Sequence, residues 1–295
     1  MENLGAKTIL SKVPFEGGSW FSIDYHMNLY RGCCHGCIYC DSRSDCYRVD
    51  DFDTVRVKEH ALDILEGELR RKSGGIVGFG AMSDSYNPYE REQQVTRAAL
   101  MLLERYGFGV SIETKSDLIV RDADILTAIA RQAPAILKLT VTAADDTLSS
   151  LIEPHAPPSS KRFEALHKLS AAGLSCGILL TPVLPFLTDN EENILEIVRR
   201  GKECGVKFIY PMFGVTLRGR QRDYFYKALD ERFPGLKRRY QGAYGERYLC
   251  ASLREKELYT AFCEVCERFG ILYRMEDITR LFRRGYPVSE QLRLF

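Results

Sequence analysis

The 295-residue sequence contains no apolar run approaching the ~18 residues of a helical membrane span, so no membrane-embedded function is expected. Its start, MENLGAKTIL, lacks a basic segment followed by an apolar stretch, so a secretory signal is not expected and the cytoplasm is. There is no low-complexity tract, and no repeat beyond a strand–helix unit. Net charge is nearly absent: 41 Lys+Arg stand against 40 Asp+Glu, leaving +1. A composition that is 45% hydrophobic and 27% charged is that of an ordinary globular chain, which excludes a disordered tail, a collagen-like chain and a disulfide mini-scaffold. The length allows one large domain or two small ones, with a core that needs no disulfide staples. Ten cysteines in a reducing compartment are therefore read as metal ligands, catalytic groups or packing residues.

The small net charge hides an asymmetry. Residues 216–295 hold 17 Lys+Arg and 11 Asp+Glu, which is +6, and 14 of the 32 aromatics; residues 1–215 carry −5. The C-terminal part is basic and aromatic, the larger part mildly acidic.

From residue 21 to 213, short apolar runs alternate with amphipathic stretches. The strands are expected at 21–30, 75–80, 109–114, 136–142, 175–181 and 206–213, and the helices at 55–72, 90–106, 122–131, 161–172 and 191–204. Such alternation predicts a parallel sheet with crossover helices, an α/β partial (βα)6 barrel of the TIM type. The strand ends are richer in polar residues than the strand bodies, as a ligand-lined rim requires. After Gly214 the pattern becomes helical, with helices expected at 223–232 and 255–269 and with Pro234-Gly235 as a breaker. The expected domains are an N-terminal extension (1–20), the partial barrel (21–215) and a basic helical cap (216–295).

The strongest signal is Arg31-Gly-Cys-Cys-His-Gly-Cys-Ile-Tyr-Cys40. Cys33, Cys37 and Cys40 are spaced C-x3-C-x2-C in a glycine-punctuated loop after the first expected strand. Three thiolates pointing inward leave one iron of a four-iron cluster without a protein ligand, open to a substrate or cofactor. A zinc knuckle recruiting His35 or Cys34 is the competing reading. A C-x2-C-x2-C register through Cys34 is another.

This loop, followed by the barrel pattern, resembles the radical S-adenosylmethionine (SAM) superfamily. The stretch Asn28–Cys40 is similar to the branch related to spore photoproduct lyase, often labelled DNA repair photolyase-like. Ser83-Asp84 with Asn87-Pro88, Thr114-Lys115-Ser116, Glu153-Pro154 and the closing Gln291–Phe295 add to that likeness. The resemblance implies a [4Fe–4S] cluster on Cys33, Cys37 and Cys40 and SAM chelated at the open iron. Reductive cleavage would then give methionine and a 5′-deoxyadenosyl radical that abstracts a substrate hydrogen. It also implies an electron donor of flavodoxin or ferredoxin type.

The resemblance implies further contacts. Tyr39 would face the adenine, Ser83 and Asp84 the SAM ammonium, and Lys115 the SAM carboxylate through a charge-assisted bond. Thr140 and Thr142 alternate with Val141 and are expected to face one way, with one of them reaching the ribose hydroxyls. Arg162 is either a ribose or carboxylate partner or a surface helix charge. The bland readings beside these are a core aromatic, an Asx turn, a solvated lysine and barrel filling. Cys250, Cys263 and Cys266 are read as packing, with a second cluster as the alternative; Cys176 and Cys204 are read as core.

One departure matters. In spore photoproduct lyase a cysteine just before the Ser-Asp pair returns a hydrogen atom to the product; here Ala81 and Met82 stand there, with Tyr86, Cys46 or Tyr25 as substitutes. Two substrate classes follow, a small molecule or peptide, and a nucleobase in DNA or RNA. The second is motivated by Arg218, Arg220, Arg222 and Lys237-Arg238-Arg239 with nearby tyrosines. A purely structural iron–sulfur or zinc protein is the non-enzymatic alternative.

Overall fold

The computed structural model describes residues 2–13, 20–80, 82–283 and 286. Six parallel strands form the sheet: β1 (Tyr25–Met27), β2 (Ile76–Phe79), β3 (Gly109–Thr114), β4 (Ala135–Thr140), β5 (Ser175–Leu180) and β6 (Phe208–Pro211). They lie in sequence order, and Leu10–Lys12 adds an antiparallel edge beside β1. Register runs through Tyr25↔Val77, Val77↔Val110, Ile112↔Leu137, Leu137↔Cys176 and Ile178↔Ile209. Both faces of these strands are covered, which is why their sequences read as continuous apolar runs rather than as alternation.

The crossover helices are α1 (Ala61–Leu69), α2 (Val95–Arg105), α3 (Ala123–Ala130), α4 (Ser159–Ala171) and α5 (Glu191–Glu203). Their apolar stripes and the outer face of the sheet form one large core. The sheet is a partial barrel, because β6 and Leu10–Lys12 do not pair. Its concave face is filled by Phe21, Ile76, Ile136, Leu179 and Phe208, with Ile278 and Phe282 from the C-terminal helix.

Beyond residue 215 the chain divides between two tasks. Helix α6 (Gly219–Arg232) and helix α7 (Leu236–Tyr244) share a core with Ile38 and Tyr39 of the cysteine loop, so they cover the site. Helix α8 (Glu255–Phe269) lies against α5, and its Leu258, Phe262 and Cys266 belong to the outer barrel core. Helix α9 (Met275–Phe282) packs at the Trp20–Ser22 turn, where the Arg283 guanidinium pairs with Asp24 at 2.8 Å.

The local differences from the sequence expectation have physical causes. The expected first strand, 21–30, is instead a turn at Trp20–Ser22, β1, and Tyr30–Arg31, which pairs with Arg56–Lys58 in a separate small sheet with Glu2–Leu4. The expected helix from residue 55 therefore starts only at Ala61, because Val55 and Val57 suit that edge pairing. The expected helix 90–106 breaks at Gln94, which takes a left-handed φ of 50°. The break lets the buried Glu90 carboxylate accept from Thr96 N–H at 3.0 Å, while also taking bonds from Tyr30 and Arg121.

A buried charge sits inside the barrel. Lys138 of β4 donates to Ser111 at 3.0 Å and to Glu113 at 2.8 Å, and its ammonium lies 4.0 Å from the centre of the Phe21 ring. Burial pulls the Lys138 ammonium below its ordinary range, and Glu113 opposes that pull. Removing one partner of such a pair leaves an uncompensated charge. Lys138→Met is expected to destabilise the apoprotein by about 3 kcal/mol, and Lys138→Met with Glu113→Gln to recover most of that loss. Urea unfolding of the three proteins checks this, and a single variant as stable as the parent contradicts it.

Candidate active site

The cysteine loop is shaped by two glycines and held by three elements. Gly32 has φ 81°, and a Cβ there would stand 2.3 Å from the Thr54 carbonyl oxygen. Gly36 has φ 70°, and a Cβ there would meet the His155 ring at 2.9 Å. Both positions exclude side chains, by conformation and by space. Cys33 N–H donates to the Phe52 carbonyl at 2.8 Å, and Ile38 N–H to Ile152 at 3.0 Å. His155 N–H returns a bond to the His35 carbonyl at 3.0 Å. From the covering helix α6, Gln221 Nε2 donates to the Tyr39 carbonyl at 3.0 Å.

Behind the loop lies a fully buried ion pair. Arg162 Nη1 stands 2.5 Å from Glu153 Oε2, both side chains without solvent exposure. Tyr39 donates its hydroxyl to Glu153, and Arg162 reaches the Thr140 carbonyl at 3.0 Å. Arg162 is thus neither a surface charge nor an open ligand group; its carboxylate partner is Glu153.

Cys33, Cys37 and Cys40 line one cleft at the C-terminal ends of the strands, together with Tyr39, Ser83, Asp84, Lys115 and Thr140. Thr142 is not among them. Strand β4 ends at Thr140, so the expected alternation stops, and Thr142 is fully buried with its hydroxyl unpartnered. Cys34 packs on the outer barrel core instead of lining the cleft. Cys250 lies in the core beneath α6, whereas Cys266 lies in the outer barrel core with Cys263 against it, so the three do not gather.

The cleft has a definite charge pattern. Asp84 is buried, and each of its oxygens takes two bonds. Oδ2 meets His35 Nε2 at 3.0 Å and Lys115 N–H at 2.9 Å; Oδ1 accepts from the Thr114 hydroxyl at 2.7 Å and Tyr86 N–H at 2.9 Å. Burial alone would raise the Asp84 carboxyl, but the His35 ring and these donors outweigh it and hold the group at about 2. Ser83 donates its hydroxyl to the Gly32 carbonyl, tying the second strand end to the loop. Burial pushes the Cys37 thiol up to about 12 despite Lys115, and it raises Cys33 as well. For Lys115 burial works against the charge, but Cys37, Glu153 and Cys40 outweigh it and keep the ammonium protonated. Lys115 Nζ lies 5.6 Å from the centre of the Tyr39 ring, and no described residue accepts a hydrogen bond from it.

These features fit metal ligation by the three thiols. A bare thiolate is costly where burial raises its pKa, and an iron ion in place of the proton removes that cost. Among the described residues, no three His, Cys, Asp or Glu side chains converge closely enough for a single ion. His35, the candidate fourth zinc ligand, is already bonded to Asp84.

Several cleft residues escaped the sequence reading. Trp20, Tyr47, Glu113 and Met212 also line it. A lysine and a glutamate inside otherwise apolar strands were the available signal for the barrel interior. Met82 lines the cleft, and Ala81 and Gln291–Phe295 lie outside the described residues. Tyr86 and Tyr25 belong to the outer core, and exposed Cys46 lies off the cleft. Tyr47, bonded to Asp41 at 3.0 Å, is the tyrosine besides Tyr39 that does reach it.

A family model described as the Radical SAM superfamily matches residues 27–216. The chain belongs to the radical SAM superfamily, and it is an enzyme. An uncharacterized Mycobacterium tuberculosis protein is 33% identical over 258 residues, 84% of this chain and 75% of its own length. An uncharacterized Methanocaldococcus jannaschii protein is 31% identical over 186 residues, 62% of this chain and 69% of its own. A spore photoproduct lyase mutant shares the fold, with a TM-score of 0.64 at 16% identity, over 92% of this chain and 81% of that one. Another lyase variant, solved with bound AdoMet and dinucleoside spore photoproduct, gives 0.62 at 15% identity, over 86% and 77%. The radical SAM family implies a [4Fe–4S] cluster, SAM and an electron donor. Among the described residues no helix is long and apolar enough to cross a membrane.

The Asp84 hub has a pH signature. A carboxyl depressed by folding adds stability that is complete above its unfolded pKa, about 4, and lost as pH falls toward its folded value, about 2. For this buried group the contribution is about 2 kcal/mol. In the apoprotein, Asp84→Asn is expected to be less stable than the parent at pH 6, and the gap to narrow below pH 4. Chemical denaturation at several pH values measures it; an equal gap at pH 6 and pH 3 contradicts the assignment.

Proposed function

We propose that this radical SAM enzyme carries a [4Fe–4S] cluster on Cys33, Cys37 and Cys40 and abstracts a hydrogen atom from a small-molecule or peptide substrate. The observation that carries the reading is the Lys115 ammonium, without an acceptor among the described residues, in one cleft with the thiols of Cys33, Cys37 and Cys40. When bound, the cluster and SAM supply a 5′-deoxyadenosyl radical after one-electron reduction by a donor of flavodoxin or ferredoxin type.

The chain's own residues bind and orient. Lys115 pairs with the SAM carboxylate, the anion its unpartnered ammonium lacks. Ser83 and Asp84 set the negative wall for the SAM ammonium. Asp84 does so by its fixed charge, since its lone pairs already serve protein donors. Thr140 stands at the strand end for the ribose, and Tyr39, fixed through Glu153, presents its ring toward the adenine. Helices α6 and α7 cover the loop and limit the access of water. A cytoplasmic location belongs to the same proposal.

A nucleobase substrate is the second reading, favoured by the fold shared with a lyase solved on a dinucleoside photoproduct. Its expected basic surface is largely engaged within the protein. Arg218 pairs with Asp41 at 2.6 Å, Arg220 with Asp45, and Arg222 with Glu246 and three carbonyls. Lys237 pairs with Asp230, Arg239 lies over Phe186, and Tyr240 and Tyr244 are buried.

Anaerobic reconstitution followed by dithionite and SAM is expected to yield 5′-deoxyadenosine and methionine. Cys37→Ala should lose both the cluster absorbance and the cleavage. Lys115→Ala should keep its iron but bind SAM about tenfold or more weakly, the cost of one charge-assisted contact. A protein that takes up the cluster yet never releases 5′-deoxyadenosine would refute the enzyme mechanism proposed here.

A further inference from the structure

A second cavity adjoins the first and shares Tyr47, Met82 and Ser83 with it as walls. Its remaining lining comes from the N-terminal residues 4–8, from the turn leading into the cysteine loop, and from the small sheet. Three cations line it, Lys7, Arg31 and Lys58, and among the described residues no carboxylate does.

Charged pairs are frequent elsewhere on the surface, down to single helix turns such as Lys168–Glu164 at 2.7 Å. Among the described residues, none of the three has a carboxylate within ion-pair distance. Arg31 donates to the Arg48 carbonyl, and the ammonium groups of Lys7 and Lys58 have no acceptor. Lys58 is half-buried, so it lacks a full water shell as well as a partner. Glu68 influences it at longer range, but the Glu68 carboxylate is taken by the amides of Leu10, at 2.8 Å, and Ile9, at 3.2 Å.

We infer that this cavity is an anion subsite for the phosphate group of a small substrate. Three cations without counter-charge match a dianion better than a carboxylate, which would leave two of them uncompensated. The Tyr47 and Ser83 side chains stand on the shared wall, so a ligand anchored here by its phosphate extends past Met82 into the first cleft. In that arrangement phosphate binding fixes which end of the substrate meets the strand ends, as substrate-positioning contacts do. The direction of the ligand rests on the proposed SAM site; the anion subsite itself does not.

The test is calorimetric titration of the reconstituted full chain with inorganic phosphate and with acetate, at fixed ionic strength and pH 7.5. Phosphate is expected to bind saturably at one site, and acetate about tenfold or more weakly. Lys58→Gln and Lys7→Gln should each weaken phosphate by about tenfold, a loss typical of one charged contact, and Lys58→Arg should retain most of it. Lys7 is exposed, so its variant tests the site even if Lys58→Gln perturbs folding. Absent saturation, acetate as tight as phosphate, or variants that bind phosphate like the parent overturn the inference. Phosphate binding in a protein that never cleaves SAM would overturn the radical reading and leave the anion site standing. Cleavage without phosphate binding does the reverse.

Discussion

Glu153 and Arg162 meet out of contact with water, and the site's architecture hangs on that meeting. Neither charge is tolerable alone in the interior; together, with further bonds, they are. Arg162 belongs to α4 and holds the carbonyl at the end of β4, while Glu153 takes the hydroxyl of Tyr39 in the cysteine loop. One pair therefore fixes the loop to a strand end and a helix. Because the partners come from three separate stretches, the loop cannot shift without exposing a buried charge. Two backbone bonds beside it, Ile38 to Ile152 and His155 to His35, set the loop's height over the sheet.

The same economy of partners recurs around Asp84. Its four contacts join the cysteine loop through His35 to the ends of β2 and β3. A carboxylate so committed is a fixed charge, not a mobile ligand. Lys115 is the converse case: its amide is held by Asp84 while its ammonium is left free, so the backbone is pinned and the charge is presented. A preorganised cation beside the loop thiols needs little reorganisation when an anionic cofactor arrives.

How much of this was legible in the sequence depends on how local each feature is. The barrel was readable because strands buried on both faces appear as short apolar runs between amphipathic helices. The three cysteines were readable because they share one loop, and the glycines that bend it lie within the same ten residues. The break at Gln94 was not, since it serves Glu90 through Tyr30 and Arg121, distant residues. Thr142 was misplaced for a related reason, because alternation was extended beyond the last paired residue of β4. His35 lay in plain view inside the motif, but its role emerges only when Asp84 is brought to it. Glu113 and Lys138 carried a signal, charge in an apolar strand, whose meaning required knowing which face of the sheet is concave.

The charge asymmetry shows how position changes the meaning of composition. A basic C-terminal segment beside an acidic barrel suggests an external polyanion. In the folded chain, however, Arg218 and Arg220 at the start of α6 pair with Asp41 and Asp45, immediately after the last loop cysteine. Arg43 adds a cation–π contact from the same stretch to Tyr224 of α6, 3.8 Å from the ring centre. The opposite charges of the two parts are thus a clamp, closing the cover onto the loop. At the surface each pair is weak, but several between the same two segments, beside Gln221 on the Tyr39 carbonyl, act in register. Part of what composition made conspicuous is thus engaged within the fold. Lys115, Lys7 and Lys58, whose ammonium groups have no acceptor among the described residues, line the two cavities in the half that composition calls acidic, and there ligand charge has a place to go.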